Sequence, residues 1–300
     1  MNYIITSDWH LRSNRPRCRL DDDWIKTQRD ILAQIAIYAK EYSADVIVIG
    51  DIFHSTIETT NEILGLVQEL ALRLDNELGK SLYVLAGNHD LPMHNLDNIH
   101  RSAFKNLLFS KNVYPLDEII INNENVSAAN FGEDDDGETS IVFKHILCFP
   151  ENEKIPPSDK IVKPSELFKQ LPLAKYIFTG DYHKQFVYKN SKGKMLMNPG
   201  CLIRQAADLI DYEPSILLVN FDTKDVTYKS LPIIDNENLV TDEYLEKEEL
   251  RNIRIEAFIE RIQENKQITF DFIENVHNTI KNNKIDAHIK NTILELLENI

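Results

Sequence analysis

Four short stretches place metal-competent or proton-competent side chains directly after apolar runs: Ser7-Asp8-Trp9-His10, Gly50-Asp51-Ile52-Phe53-His54, Gly87-Asn88-His89-Asp90 and Gly180-Asp181-Tyr182-His183. Carboxylate and imidazole are the donors that hard or borderline divalent cations take, and asparagine adds a neutral oxygen. An aspartate can bridge two cations roughly 3.5 to 4 Å apart, the layout of a two-metal hydrolytic site, and Asp51 stands in the natural bridging place after the second run. Asp8 and His10, at i and i+2, are expected to project to one side of an extended chain. His89 offers an imidazole that can carry a proton, and Asp90 beside it is placed to hold that imidazole in one tautomer. His145 adds a further imidazole within the apolar run SIVFKHILC. One such set is ordinarily a solvated aspartate or a satisfied core histidine. Four sets, each closing an apolar run, point to a rigid cluster of cation ligands.

The elements that must position these residues are readable from periodicity. NYIIT, VIVI and LYVL are short, continuous apolar runs of the kind that form strands covered on both faces. Between them lie two helical patterns: Trp24, Ile31, Ile35 and Tyr38 share a stripe over 24–42, and residues 60–76 open on a capping-type Thr60. The order β-α-β-α-β predicts a parallel sheet with right-handed crossovers and a site at the carboxyl ends of its strands. Farther along, strands are expected over 140–148, 175–179, 216–221 and 226–230, and a short helix over 165–171. Residues 194–204 read as a strand followed by an Asn-Pro-Gly turn, residues 122–137 as a polar turn region, and 149–164 as a Pro-rich surface connection. The expected architecture is α/β, central sheets in a β-sandwich flanked by helices, ending near Ile234.

From Asp235 onward the composition turns helical and charged. Ile255, Phe258, Ile259 and Ile262 form one apolar stripe, Phe272, Ile273, Val276 and Ile280 a second, and Ile285, Ile289, Ile293, Leu296 and Leu297 a third. Helices of about 14 residues are marginal alone. Residues 235–300 are therefore expected to be a helical region that caps the core or binds a partner.

The 300 residues carry a net charge of -15, which opposes general affinity for a polyanion. Exposed charges are screened beyond roughly 10 Å, so a local cluster matters more than the total. Arg12, Arg15, Arg17 and Arg19 follow the first ligand set, where they either meet a substrate phosphate or form a solvated loop neutralised by Asp21, Asp22 and Asp23. Three scattered cysteines exclude a disulfide framework and a zinc knuckle, and fit a reducing cytoplasm. No run approaches the about 20 apolar residues of a membrane span, and MNYIITSDWH lacks a signal-peptide layout.

The ordered sets DxH, GDxxH, GNHD and GDxH resemble the calcineurin-like metallophosphoesterases over most of residues 1–234. Within them, SDWHL, GDIFH, AGNHD, GDYH and the turn of MNPGCLIR are most similar to the SbcD nucleases, the phage and bacterial relatives of the meiotic-recombination double-strand-break nuclease. That resemblance implies one metal held by Asp8, His10, Asp51 and His183, and a second by Asp51, Asn88, His145 and Asp181. His89 becomes the unliganded histidine that donates to the phosphate or leaving group, with Asp90 orienting it and His54 positioning substrate. His94 and His100 read as surface. The family pattern has histidine where this chain has Asp181, and an aspartate there favours manganese or magnesium over zinc.

The implied activity is manganese-dependent, or magnesium-dependent, hydrolysis of DNA phosphodiesters, as an exonuclease and endonuclease in repair, recombination or end processing. The implied partner is an SbcC-like ATPase gripping the C-terminal helices, with a homodimer possible. Two other readings stay open: a small-molecule phosphodiesterase on the same core, and a non-catalytic scaffold whose second metal site is impaired by Asp181.

Overall fold

The computed structural model describes residues 1–243 apart from 57–58, 122–123, 135–137, 155–160 and 232–238. The expected C-terminal helical stripes lie outside the described residues. The sheets and helices below belong to one compact unit, Met1–Asp242.

Strands β1 (Asn2–Thr6), β2 (Ala44–Ile49), β3 (Leu82–Leu85) and β4 (Val113–Pro115) run parallel in one six-stranded sheet. The helices α1 (Trp24–Tyr42) and α2 (Asn61–Arg73) make the β1-to-β2 and β2-to-β3 crossovers, as their apolar stripes require. Asp23 caps α1 by accepting from Lys26 N, and Thr60 caps α2 by accepting from Ile63 N. A short helix α3 (Ala103–Leu107) follows β3. Strand β5 (Ile120–Ile121) comes next, and the region read as a polar turn holds β6 (Glu124–Asn125) and β7 (Ser127–Ala129). Then come β8 (Ile141–His145), α4 (Pro164–Gln170), β9 (Tyr176–Gly180), β10 (Phe186–Lys189) and β11 (Met195–Asn198). Strands β12 (Ser215–Asn220) and β13 (Asp225–Ser230) return antiparallel to close the first sheet beside β1.

The first sheet has the order β13-β12-β1-β2-β3-β4, and the second β10-β11-β9-β8-β7. Their inner faces share one core, in which Tyr3, Ile5, Ile47 and Ile49 meet Phe143, Phe178 and Met197. The alternate residues Ile4, Val46 and Val48 pack under α1 and α2, and Val142, Ile177 and Leu196 pack under α4. The inner strands carry apolar residues on both faces because both faces are covered, giving four layers, helix, sheet, sheet, helix. Phe143 and Phe178 stack across the inner face with centroids 4.9 Å apart.

Candidate metal centre

The ligand-bearing loops leave the carboxyl ends of β1, β2, β3, β8 and β9. The loop after β1 is zipped to the loop after β2: Asp8 N donates to Gly50 O at 3.1 Å, His10 N to Asp51 O at 2.9 Å, and Leu11 N to Ile52 O at 2.9 Å. Strand alternation is not what brings Asp8 and His10 together. Asp8, His10, Asp51 and Asp181 all have left-handed backbone, with φ of 52°, 46°, 52° and 78°. Aspartate and histidine tolerate that region better than most residues, and such conformations gather where function requires them. Three glycines, Gly50, Gly87 and Gly180, permit the close approach. A Cβ on Gly50 would lie 2.3 Å from His145 Nδ1, and one on Gly87 would lie 2.1 Å from Asp51 Oδ1.

The side chains converge around Asp51. Its Oδ2 lies 3.6 Å from His10 Nε2 and its Oδ1 lies 3.5 Å from His145 Nε2. The His89 backbone N–H donates to Asp51 Oδ1 at 2.9 Å. His10 Nε2 and His183 Nε2 lie 3.1 Å apart, and each is 3.9 Å from Asp8 Oδ1. His145, expected as a ligand, is buried with Nδ1–H donating to Ile49 O at 2.8 Å, which turns Nε2 toward Asn88 Oδ1 at 3.0 Å. Among the described residues the compact donor groups are Asp8–His10–His183, Asp8–Asp51–His145 and His10–His54–His89. Asp181 belongs to none of them. Its backbone N–H donates to both Asp8 carboxylate oxygens at 3.1 Å.

The expected orientation of His89 by Asp90 is corrected by the bonding. His89 Nδ1–H donates to His54 O at 2.6 Å, which commits that nitrogen and leaves Nε2 as the ring's other donor or acceptor. Asp90 is fully buried and accepts instead from Phe53 N at 2.9 Å, Gly87 N at 2.9 Å and Ile52 N at 3.2 Å. It is a positioning residue that locks the GNHD turn onto the loop after β2. His54 Nε2 accepts from the Arg12 guanidinium at 2.8 Å, and the Arg12 backbone is pinned to α1 by Gln28 and Trp24. His94 is exposed, as expected, yet its Nδ1 bonds Asn88 O at 2.8 Å and its ring lies 5.8 Å from that of His89. His100 is exposed and bonds Asp97 O.

The arginines divide. Arg12 reaches the histidine cluster through His54. Arg15 and Arg17 are exposed on the loop, with Arg15 donating to Asp21 O. Arg19 is buried, bonded twice to Asp21 at 2.7 and 2.8 Å and placed over Trp24, so its role is structural. Sequence reasoning missed two polar props. Gln205 Nε2 donates to Trp9 O and His10 O at 3.1 Å, and Asn198 Nδ2 donates to Tyr182 O at 2.8 Å. Asn198 was visible within the NPG turn; its grip on the GDYH loop was not.

The electrostatics follow from burial and crowding. Burial pushes the Asp8 carboxyl up to about 6 against the pull of His183 and His145. Burial acts the same way on Asp51, but His145, His10 and His89 outweigh it and hold that carboxyl well below the ordinary range. Burial lowers the His145 imidazole, and Asp51 beside it more than compensates, pushing it up to about 10. Burial keeps His10 well below its usual value, and burial with the Arg12 charge brings His54 down to about 4. Asp51 Oδ2 and His10 Nδ1 are buried with no hydrogen-bond partner.

Residues 1–199 match the calcineurin-like phosphoesterase family, and the chain belongs to it. A hydrolase acting on phosphoester bonds with divalent metals is therefore the class that fold and site define. A curated relative, the SbcD component of the SbcCD nuclease of Staphylococcus epidermidis, is 31% identical over 90 residues, 30% of this chain and 23% of that protein. The match thus spans about a quarter of that relative's length. Among solved structures, a dimetal phosphatase from Danio rerio is 10% identical with a TM-score of 0.45 and covers 77% of this chain and 95% of its own. An archaeal phosphodiesterase is 13% identical with a TM-score of 0.43, covering 77% of this chain and all of its own. Among the described residues no helix is long and apolar enough to cross a membrane.

The residues present fit a metal pair. Buried carboxylates at Asp8 and Asp51, an orphaned Asp51 oxygen and imidazole nitrogens turned inward by backbone bonds are a donor set that divalent cations satisfy. Asp8, His10, Asp51 and His183 would hold one ion, and Asp51, Asn88 and His145 the other.

Proposed function

We propose that this chain is a DNA nuclease that hydrolyses phosphodiester bonds with a pair of manganese or magnesium ions. The observation that carries the reading is the His10–His54–His89 group beside Arg12 at the rim of the buried carboxylates. It sets two groups suited to a phosphate, the His89 imidazole and the Arg12 guanidinium, next to a cation site. The local likeness to the SbcD component of SbcCD supports DNA as the substrate over a small diester, and supports an SbcC-like ATPase as partner of the C-terminal region.

When bound, the cations supply Lewis acidity and a nucleophile available at neutral pH. The protein's own groups do the rest. Asp51 holds both donor groups in register through His10, His145 and the His89 backbone. His89, with Nδ1 committed to His54 O, presents Nε2 to the phosphoryl or leaving oxygen and stabilises the charge that develops there. Arg12 adds a guanidinium, a group suited to phosphate oxygens.

The test is incubation of the purified chain with linear and hairpin DNA in manganese beside the Asp51→Ala variant. Cleavage by the wild type alone is expected. Equal behaviour of the two proteins overturns the catalytic reading, and turnover of a small diester with no DNA degradation overturns the choice of substrate.

A further inference from the structure

The acidity of this protein is uneven. Residues 163–194 contain seven lysines, Lys163, Lys169, Lys175, Lys184, Lys189, Lys192 and Lys194, against only Glu166 and Asp181, within a chain of net charge -15. Three of these lysines, Lys169, Lys192 and Lys194, line a groove of about 270 Å³ between α4 and the turn joining β10 to β11, with Tyr188 and Phe168 in its wall.

The groove is shaped by specific contacts. Lys194 Nζ donates to Pro172 O and sits 5.7 Å above the Phe168 ring, so its charge is fixed. Phe168 and Tyr188 lie 6.3 Å apart at 31°, Phe168 buried and Tyr188 half-buried. The turn carrying Lys192 is rigid: Asn190 Oδ1 accepts from Lys192 N at 2.9 Å and Lys194 N at 3.0 Å, and Gly193 has a φ of 77°. Lys169 and Lys192 are exposed. One fixed and two exposed cations beside an aromatic face are suited to a phosphate backbone with a base stacked against the ring.

Its position relates it to the metal centre. Strand β9 begins beside this groove and ends at Gly180, next to Asp181 and His183. Five residues of strand rise about 16 Å, which corresponds to about five phosphates at the 3.4 Å axial spacing of one strand in stacked, duplex-like form.

We propose that this groove binds the sugar-phosphate backbone of the DNA strand whose end lies in the metal centre, with Lys169, Lys192 and Lys194 on its phosphates and Tyr188 against a base. The inference rests on the nuclease reading and adds that single-stranded DNA beyond about five nucleotides gains a second anchor. Duplex repulsion by the acidic remainder of the chain is offset locally, where the strand runs.

The test measures binding of fluorescent oligothymidylates of 4 and 20 nucleotides to the full chain across a salt series, with bis(p-nitrophenyl) phosphate hydrolysis in parallel. For the 20-mer, the triple variant Lys169→Gln, Lys192→Gln, Lys194→Gln is expected to bind ten- to a hundredfold more weakly near 0.1 M salt, its log–log salt slope reduced by about 2. The 4-mer and the small diester are expected to be unaffected, and the latter also reports an intact fold. The double variant Lys169→Gln, Lys192→Gln, which keeps the Lys194–Pro172 bond, is expected to fall between. If the wild type cleaves DNA and the triple variant matches its 20-mer affinity and slope, the groove is overturned and these lysines only guard the edge strand β10 against pairing. If the wild type hydrolyses the small diester but neither binds nor cleaves any DNA, the nuclease reading fails and the groove with it.

Discussion

The two sheets contribute unequally to the metal centre. From the first, Asp8, His10 and Asp51 are 0%, 5% and 0% exposed, and the loops that carry them are bonded to each other backbone to backbone. From the second, His145 is buried, but the His183 side chain is 39% exposed and Asp181 joins no compact donor group. The difference is topological. Neighbouring parallel strands deliver their end loops side by side, so β1, β2 and β3 can cross-brace them. Ligands from the second sheet reach across the gap by side chain, with the Asp181 backbone N–H on the Asp8 carboxylate as a tie between the sheets. His145 manages this because it is still within β8, paired with Gly180, and because Gly50 offers no Cβ to block it. The braced half should decide whether the site exists, and the reaching half how well it works.

The strongest attack on that division is Asp51→Ala. It removes the carboxylate that His10, His145 and the His89 backbone share. Phosphodiester hydrolysis is expected to fall by roughly a thousandfold or more, with calorimetry showing both cation affinities weakened together. Loss of only one cation would show that the two donor groups are independent.

His89→Gln tests the braced half without touching a ligand. A drop in kcat of about a hundred- to a thousandfold is expected, with cation affinity unchanged because neither ion's assigned donor set includes His89. Weakened cation binding in this variant would move His89 from proton donor to ligand.

Asp90→Asn comes next. Asp90 holds three backbone N–H groups of the loops after β2 and β3. An amide can accept from only part of that set, so a ten- to hundredfold loss of activity is expected, together with a lower melting temperature. Unchanged stability with a full activity loss would instead place Asp90 against the substrate.

Much of this is legible in the sequence. The strands β1, β2 and β3, both crossover helices and the site at the strand ends follow from continuous apolar runs and helical stripes, since burial on both faces leaves little freedom. The short strands β4 and β10, and the strand pieces within 122–137, were missed. They are brief and carry polar or proline residues, so tertiary pairing decides them rather than pattern. Site composition was readable because metal chemistry restricts residue type. Bond partners were not: Asp90 adjoins His89 in sequence, yet the turn closed by Asp90 N on Gly87 O aims it at the loop after β2. The arginine cluster likewise divides by burial, which sequence spacing does not encode. Arg12 reaches His54 while Arg19 is locked to Asp21.

The smallest expected effect addresses the reaching half. Asp181 lies where the family pattern has histidine, its N–H on Asp8 and its carboxyl pushed up by burial, against the pull of His145. A carboxylate on a short side chain reaches less far than an imidazole Nε2, so Asp181→His is expected to extend the donor set toward Asn88 and His145. Affinity for the second cation should rise by about tenfold or less, and preference should move from manganese toward zinc. Calorimetric titration with each metal reads both changes. Asp181→Ala is the control that can break the comparison. If it leaves cation affinity and rate unaltered, Asp181 ligates nothing, and the second sheet acts on the metals through His145 and His183 alone. If it abolishes activity, the second sheet is as indispensable as the first and the division between bracing and tuning is wrong.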